Sequence, residues 1–229
     1  MSVSCHQHPR YHSLALASLG WDVLATDIAS VVNSVLRPNI ARNGRMLRET
    51  EPFIETEGTT RCGNVQVREL DWSVHPSRWC WDDYNGVAIA AREDGQSPAV
   101  EGHCNEELLA PPFDLVVTSD TVYSTSLVTP LLRTLHQVCS LSRQDDNERR
   151  HLTHRPPPVY IAVENRDPGL LASFFKQARD EWGFTTTRIP DRRVERAMER
   201  KRMDWKREDW MGVEVWKLQL QQTIVTQQT

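Results

Sequence analysis

The chain has 229 residues, with 27 Lys and Arg against 31 Asp and Glu, a formal charge of −4 and a mean hydropathy of −0.54. At this length one hydrophobic core removes roughly 70% of the unfolded surface from water, so folding requires neither disulfides nor a structural metal. The mild acidity excludes a protein held mainly by nucleic-acid phosphates or an anionic bilayer, since both demand a clear excess of Lys and Arg. One soluble domain, acting as a monomer, is the expectation.

No run approaches the ~18 consecutive apolar residues of a spanning helix, and the amino-terminal MSVSCHQHPRYH lacks the apolar core of a signal peptide. A cytoplasmic or nuclear location follows as an expectation. Cys5, Cys62, Cys80, Cys104 and Cys139 are odd in number, scattered and without a CxxC pair, which points to reduced thiols rather than a disulfide framework or zinc ribbon. The stretch Cys5 to His12 reads as a disordered terminus over residues 1–12 before it reads as a metal site, and no metal is expected.

Apolar runs of strand length alternate with helical periodicity, and this favours an α/β fold. Ser13 to Leu19 reads as the last turns of a helix stopped by Gly20, and Asp22 to Thr26 as a first strand. Val31, Val32, Val35, Leu36 and Ile40 share a helical face that Pro38 should kink. Val65 to Leu70 is a second strand, and Phe113 to Ser119 a third, apolar enough to be buried on both faces. From about Thr125, Leu127, Val128, Leu131, Leu132, Leu135 and Val138 recur at threes and fours in a helix. The polar stretch from Ser142 to Pro158 reads as a surface linker loop, covering 143–158. Val159 to Val163 is a fourth strand, Pro168 to Trp182 a helix with Leu171, Phe174, Phe175 and Ala178 inward, and Phe184 to Ile189 and Val213 to Leu220 two further strands. The tail 221–229 is expected to fray. Residues 73–112 carry no sustained periodicity and read as a long insertion, either functional or disordered.

Strands linked by helices imply a parallel sheet, whose ligands gather outside the carboxyl ends of the strands. There stand Asp27, Asp71 with Trp72, and Ser119 and Asp120 with Tyr123. A carboxylate such as Asp27 can accept both hydroxyls of a ribose, although an acid there can equally cap the next helix. Asp71 and Trp72 can supply an acceptor and an aromatic face to a purine, or simply a turn and a buried ring. Asp120 and Tyr123 can bring a carboxylate and a phenol to one amine, or a cap beside a packed Tyr. Asp191 to Asp209 is dense in both charges and reads as a solvated helix before a docking surface, and Trp79 and Trp81 read as core before lid.

In order, Thr26-Asp27-Ile28, Asn39-Ile40 with Asn43, Glu69-Leu70-Asp71-Trp72 and Phe113 to Tyr123 resemble the protein-lysine methyltransferase branch, family-16 type, of the seven-β-strand S-adenosylmethionine-dependent methyltransferases. The resemblance runs from about Leu14 to Leu220, and Asp-x-x-Tyr at 120 to 123 is its most specific part. It implies a Rossmann-like seven-strand sheet, S-adenosyl-L-methionine as cofactor, and a protein substrate carrying a lysine, such as a translation factor or chaperone. It also implies that Asp27 holds the ribose, Asp71 and Trp72 border the adenine, Ser119 lies under the methionine portion, and Asp120 with Tyr123 faces the amine.

The family's first strand and its Gly-rich loop should precede the helix ending at Leu19, yet residues 1–12 contain no glycine. Such a loop lets backbone approach a carboxylate that a side chain would obstruct. The expectation is a sheet missing its first strand, a truncated or mis-spliced chain, and impaired activity. Two alternatives stand beside the enzyme: a catalytically inactive binding module that keeps the substrate-facing surface, and a small-molecule N-methyltransferase.

Overall fold

The structure, a computed structural model, describes residues 12–49, 62–90, 107–143, 155–200 and 207–221. The predicted amino-terminal coil (1–11), the frayed tail beyond 221 and much of the predicted insertion and linker lie outside these. The chain divides into two compact units, Met1–Pro111 and Pro112–Thr229. Both are α/β: the first pairs its strands in parallel and the second joins one parallel pair to two antiparallel ones, consistent with a Rossmann-like fold.

In the first unit α1 (His12–Ser18) ends where Gly20, at φ 89°, turns the chain. Its N–H donates to Ala17 O (2.9 Å) and that of Trp21 to Leu16 O (3.2 Å), so the orphan carbonyls of the last turn are satisfied. His12, assigned from sequence to the disordered terminus, starts this helix. The first strand, β1 (Val23–Asp27), begins and ends one residue later than its apolar run suggests and is buried throughout. It pairs in parallel with β2 (Val65–Leu70), from Val23 opposite Val65 to Asp27 opposite Glu69. The two strands start close together, for the Gly63 N–H donates to Ala17 O and a Cβ at Gly63 would stand 1.9 Å from Trp21 O.

Between them the predicted kinked helix is α2 (Ala29–Val31), a π turn over Val32–Leu36, and α3 (Arg37–Glu49). Proline has no N–H to give and its ring crowds the carbonyl four residues earlier. The wide turn, closed by Arg37 N–H to Val32 O, opens the backbone immediately before Pro38 and still buries Val32 and Leu36.

The predicted insertion at 73–112 is ordered in its described part. A 3-10 turn at Pro76–Arg78 leads to β3 (Gly86–Ala88), which pairs in parallel with β2, giving the order β1-β2-β3. Three residues are too few for a period-two signal, which is why the strand does not show in the sequence. Arg68 and Gln66, alternate residues of β2, hold this segment down. Arg68 is 1% exposed, and its guanidinium donates to the carbonyls of Trp81 (2.7 Å), Asp83 (3.4 Å) and Leu109 and lies 5.9 Å from the Trp81 ring. The Gln66 amide donates to Glu107 O (2.6 Å) and accepts from Leu109 N (2.8 Å), as a neighbouring strand would. Trp81 therefore serves this clamp, and Trp79, edge-on to it at 6.0 Å, donates its indole N–H to Val74 O.

The second unit orders its strands β4-β5-β7-β6: β4 (Val116–Ser119) parallel to β5 (Val159–Glu164), with β7 (Val213–Leu220) antiparallel to β5 and to β6 (Phe184–Ile189). The predicted third strand is shorter than its apolar run, because the Phe113 N–H is taken by Ser142 Oγ (3.0 Å) rather than a neighbouring strand. Helices α4 (Thr125–Leu141) and α5 (Pro168–Asp180) bury the predicted faces, and Asp167 caps α5 through Leu170 N (3.0 Å). Phe175 stacks on Trp216 at 3.9 Å. The end of the predicted surface linker is not at the surface: Pro156 and Pro157 are buried, and Pro158 O accepts from Val116 N (3.1 Å). The charged run forms α6 (Asp191–Arg200) with no buried residue.

Candidate functional site

The residues singled out from sequence stand at the carboxyl ends of parallel strands, in two units with different local states. At the end of β4, Asp120 has φ 51°, and it is the one non-glycine residue with positive φ among the described residues. This left-handed backbone costs an L-residue roughly 1 to 2 kcal/mol, less for Asp than for bulkier side chains. The turn is held from both sides: the Asp120 N–H donates to Ala162 O of β5 (2.9 Å), and the buried hydroxyls of Thr118 and Thr121 bond each other at 3.1 Å. The Ser119 hydroxyl directly before it is buried without a hydrogen-bond partner, while Tyr123 beyond it is 50% exposed.

Sequence reasoning missed Arg166, which lies within electrostatic reach of Asp120. The Arg166 guanidinium donates to Glu164 Oε2 from Nε (2.7 Å) and from Nη2. That hydrogen bond, then the Glu164 charge, and more weakly that of Asp120, raise the Arg166 pKa; the same bond lowers that of Glu164. Asn165 N bonds to Gly212 O (3.1 Å), anchoring the turn that carries the pair. The signal was present as charged residues directly after an apolar strand, Glu164-Asn165-Arg166.

In the first unit Asp27 closes β1 at 0% exposure, its Oδ1 accepting from Ile28 N at 2.8 Å. It does not cap α2, whose N-cap is Ile28 with no side-chain bond. Asp71 follows β2 and builds a turn: Oδ1 accepts from Ser73 N (2.7 Å), and its carbonyl from Val74 N (3.1 Å). Trp72 is 7% exposed. The turn-forming Asp and the buried Trp, weighed from sequence as the plain alternative, are what the backbone shows.

In the second unit the Ser119 hydroxyl has no hydrogen-bond partner; in the first, Asp71 keeps Oδ2 outside its turn as an acceptor for a ribose or a base. Asp27 in its covered state does not fit that role. Two cavities, about 280 and 800 Å³, open in the first unit, and neither is lined by Asp27, Asp71 or Trp72. Among the described residues no group of three or more His, Cys, Asp or Glu could hold a metal ion, and no helix is long and apolar enough to cross a membrane.

No protein-family model matches the chain, and no curated protein matches it. Among solved structures it is similar to a SAM-dependent methyltransferase from Methanosarcina mazei, at 13% identity and a TM-score of 0.38, over 96% of this chain and 92% of that one. At that score the likeness carries no argument, and the α/β class rests on the strand pairings.

Proposed function

We propose that the chain is an S-adenosylmethionine-dependent methyltransferase acting on a protein lysine, with Asp120 as the residue that receives the amine. The observation that carries this reading is the strained turn at the end of β4: Asp120, in the left-handed region, follows a Ser119 whose hydroxyl is buried without a partner and precedes a half-exposed Tyr123 in the chain. Strain of this kind persists where the surroundings over-determine it, and it concentrates at sites of chemistry.

The cofactor supplies an electrophilic methyl group on a sulfonium. What the chain must do is present a neutral amine at near-attack distance with its lone pair aimed, although free lysine has a pKa of about 10.4. Asp120 holds the ammonium on arrival, the proton passes to solvent before attack, and the carboxylate then orients the neutral amine by a hydrogen bond. Tyr123 gives one hydrogen bond and narrows the approach, and Arg166, hydrogen-bonded to Glu164, stands within electrostatic reach of the same carboxylate. Ser119 offers its hydroxyl to the polar end of the cofactor.

A second reading, an inactive methyltransferase-like module that binds a partner, draws on the covered Asp27. Calorimetry separates the two. The enzyme reading expects saturable S-adenosylmethionine binding that Ser119→Ala weakens, together with label from the methyl donor on lysine in a cell lysate. No donor binding by a well-folded chain would refute it, and label confined to small molecules would refute the lysine assignment.

A further inference from the structure

We propose that the 280 Å³ cavity of the first unit is a binding site for a small organic anion, a carboxylate or phosphate carried on an apolar group. It lies between α3 and β2 and is lined by both Arg37 and Arg68, with Tyr84 at its edge. The Nε of each arginine is buried without a hydrogen-bond partner. Buried polar groups are nearly always satisfied, so two unmet guanidinium donors in the wall of one cavity call for a ligand that accepts hydrogen bonds.

Its charge follows from the lining. No carboxylate lines the cavity among the described residues. Arg68 has Asp83 and Asp82 near enough to favour its charged form against the desolvation that lowers its pKa, and its Nη atoms are spent on loop carbonyls. Among the described residues Arg37 has no such partner, and its fork suits the oxygens of a carboxylate or phosphate. Gln66, also in the wall, has both ends of its amide engaged and gives the ligand nothing. The apolar part follows from Ile40, Val67 and Leu108, which line the same space: a few polar groups set in an apolar wall is the usual build of a small-molecule site. The 280 Å³ volume is at the small end of such sites and suits a single ring or a short chain.

The test titrates the full chain calorimetrically with phenyl phosphate, benzoate and inorganic phosphate, and repeats it with Arg37→Met. Arg37 takes no part in the proposed methyl transfer, so its substitution leaves that reading untouched. The expected result is saturable binding of phenyl phosphate or benzoate, weakened about tenfold or more in Arg37→Met, the scale of one lost charged hydrogen bond. Whichever of the two binds more tightly identifies the headgroup. The ligand-free variant should melt at the same temperature as the parent or higher, since an unmet buried donor has been removed. Three results would overturn the proposal: no saturable binding of either organic anion, equal affinity of parent and variant, or a lower melting temperature in Arg37→Met, which would show Arg37 serving the fold instead. Inorganic phosphate binding as tightly as phenyl phosphate would overturn the apolar part.

Discussion

The carboxyl end of β4 and the carboxyl ends of β1 and β2 carry similar residues, an acid next to an aromatic or a hydroxyl, and treat them oppositely. After β2, Asp71 relaxes its own backbone through an Asx turn and Trp72 is packed away; at β1, Asp27 is covered. After β4, Asp120 is held in a costly conformation, Ser119 is buried without a partner and Tyr123 faces solvent. After β2 the Asp71 side chain is used by the fold, in a turn bond to Ser73 N. The β4 turn leaves polar groups unspent and stores strain, which folding alone does not reward. Location at a strand end nominates a residue, therefore, while the state of its backbone and hydrogen bonds shows whether the position serves structure or chemistry.

That contrast expects substitutions of first-unit side chains that bond the fold, Arg68 and Asp71, to cost stability and those at the β4 turn not to. The largest loss is expected at Arg68→Met, which strips hydrogen bonds from the carbonyls of Trp81, Asp83 and Leu109 together: about 3 kcal/mol in urea unfolding, with the 73–90 segment losing amide protection first. Asp71→Ala should cost about 1 kcal/mol by undoing a turn. Asp120→Gly should instead raise stability, by up to about 1 kcal/mol, because glycine enters the left-handed region freely and offsets the added entropy of its unfolded chain. A destabilised Asp120→Gly would break the comparison, since Asp120 would then be serving the fold.

The smallest effect concerns pH and is confined to the second unit. His136 of α4, half-buried against Trp182 and Phe184, has its pKa lowered by desolvation from the ordinary 6.5. The unfolded chain thus binds its proton more readily. The contribution is fully present above about pH 6.5 and is lost as pH falls toward the folded pKa. His136→Gln should flatten that slope in melting temperatures taken between pH 7 and 5. In the same unit burial pushes the Cys139 thiol up to about 12, so thiol reagents should reach exposed Cys80 in the native protein and Cys139 only on unfolding.

Much of the fold was legible. The bounds of β2, β6 and β7 and the inward face of α5 follow directly from apolar periodicity, and Gly20 was readable as a stop. Three features were not, each for a physical reason. β3 is too short to show a period. Pro38 announced a kink, but whether the helix breaks or widens into a π turn depends on the packing of Val32 and Leu36. Arg68 shows in the sequence only as a charged residue within a strand, whereas its guanidinium is buried by loop carbonyls as distant in the chain as that of Leu109. At the candidate site the residue types and their strand-end positions were visible, and the strain at Asp120 and the covering of Asp27 were not, since backbone angle and exposure depend on neighbours brought in by other elements.

The central claim is that the Asp120 turn is kept for its carboxylate, and the most direct measurement is methyl transfer from labelled S-adenosylmethionine into a cell lysate by the parent chain and by Asp120→Asn, with donor binding followed in parallel. Asparagine tolerates the left-handed region and keeps the shape while removing the charge. The account predicts label on lysine, a fall of roughly 10²-fold in turnover, equivalent to about 2.7 kcal/mol, and donor affinity nearly unchanged. Equal lysine labelling by the two chains, or none by either while both are folded and bind the donor, would contradict it.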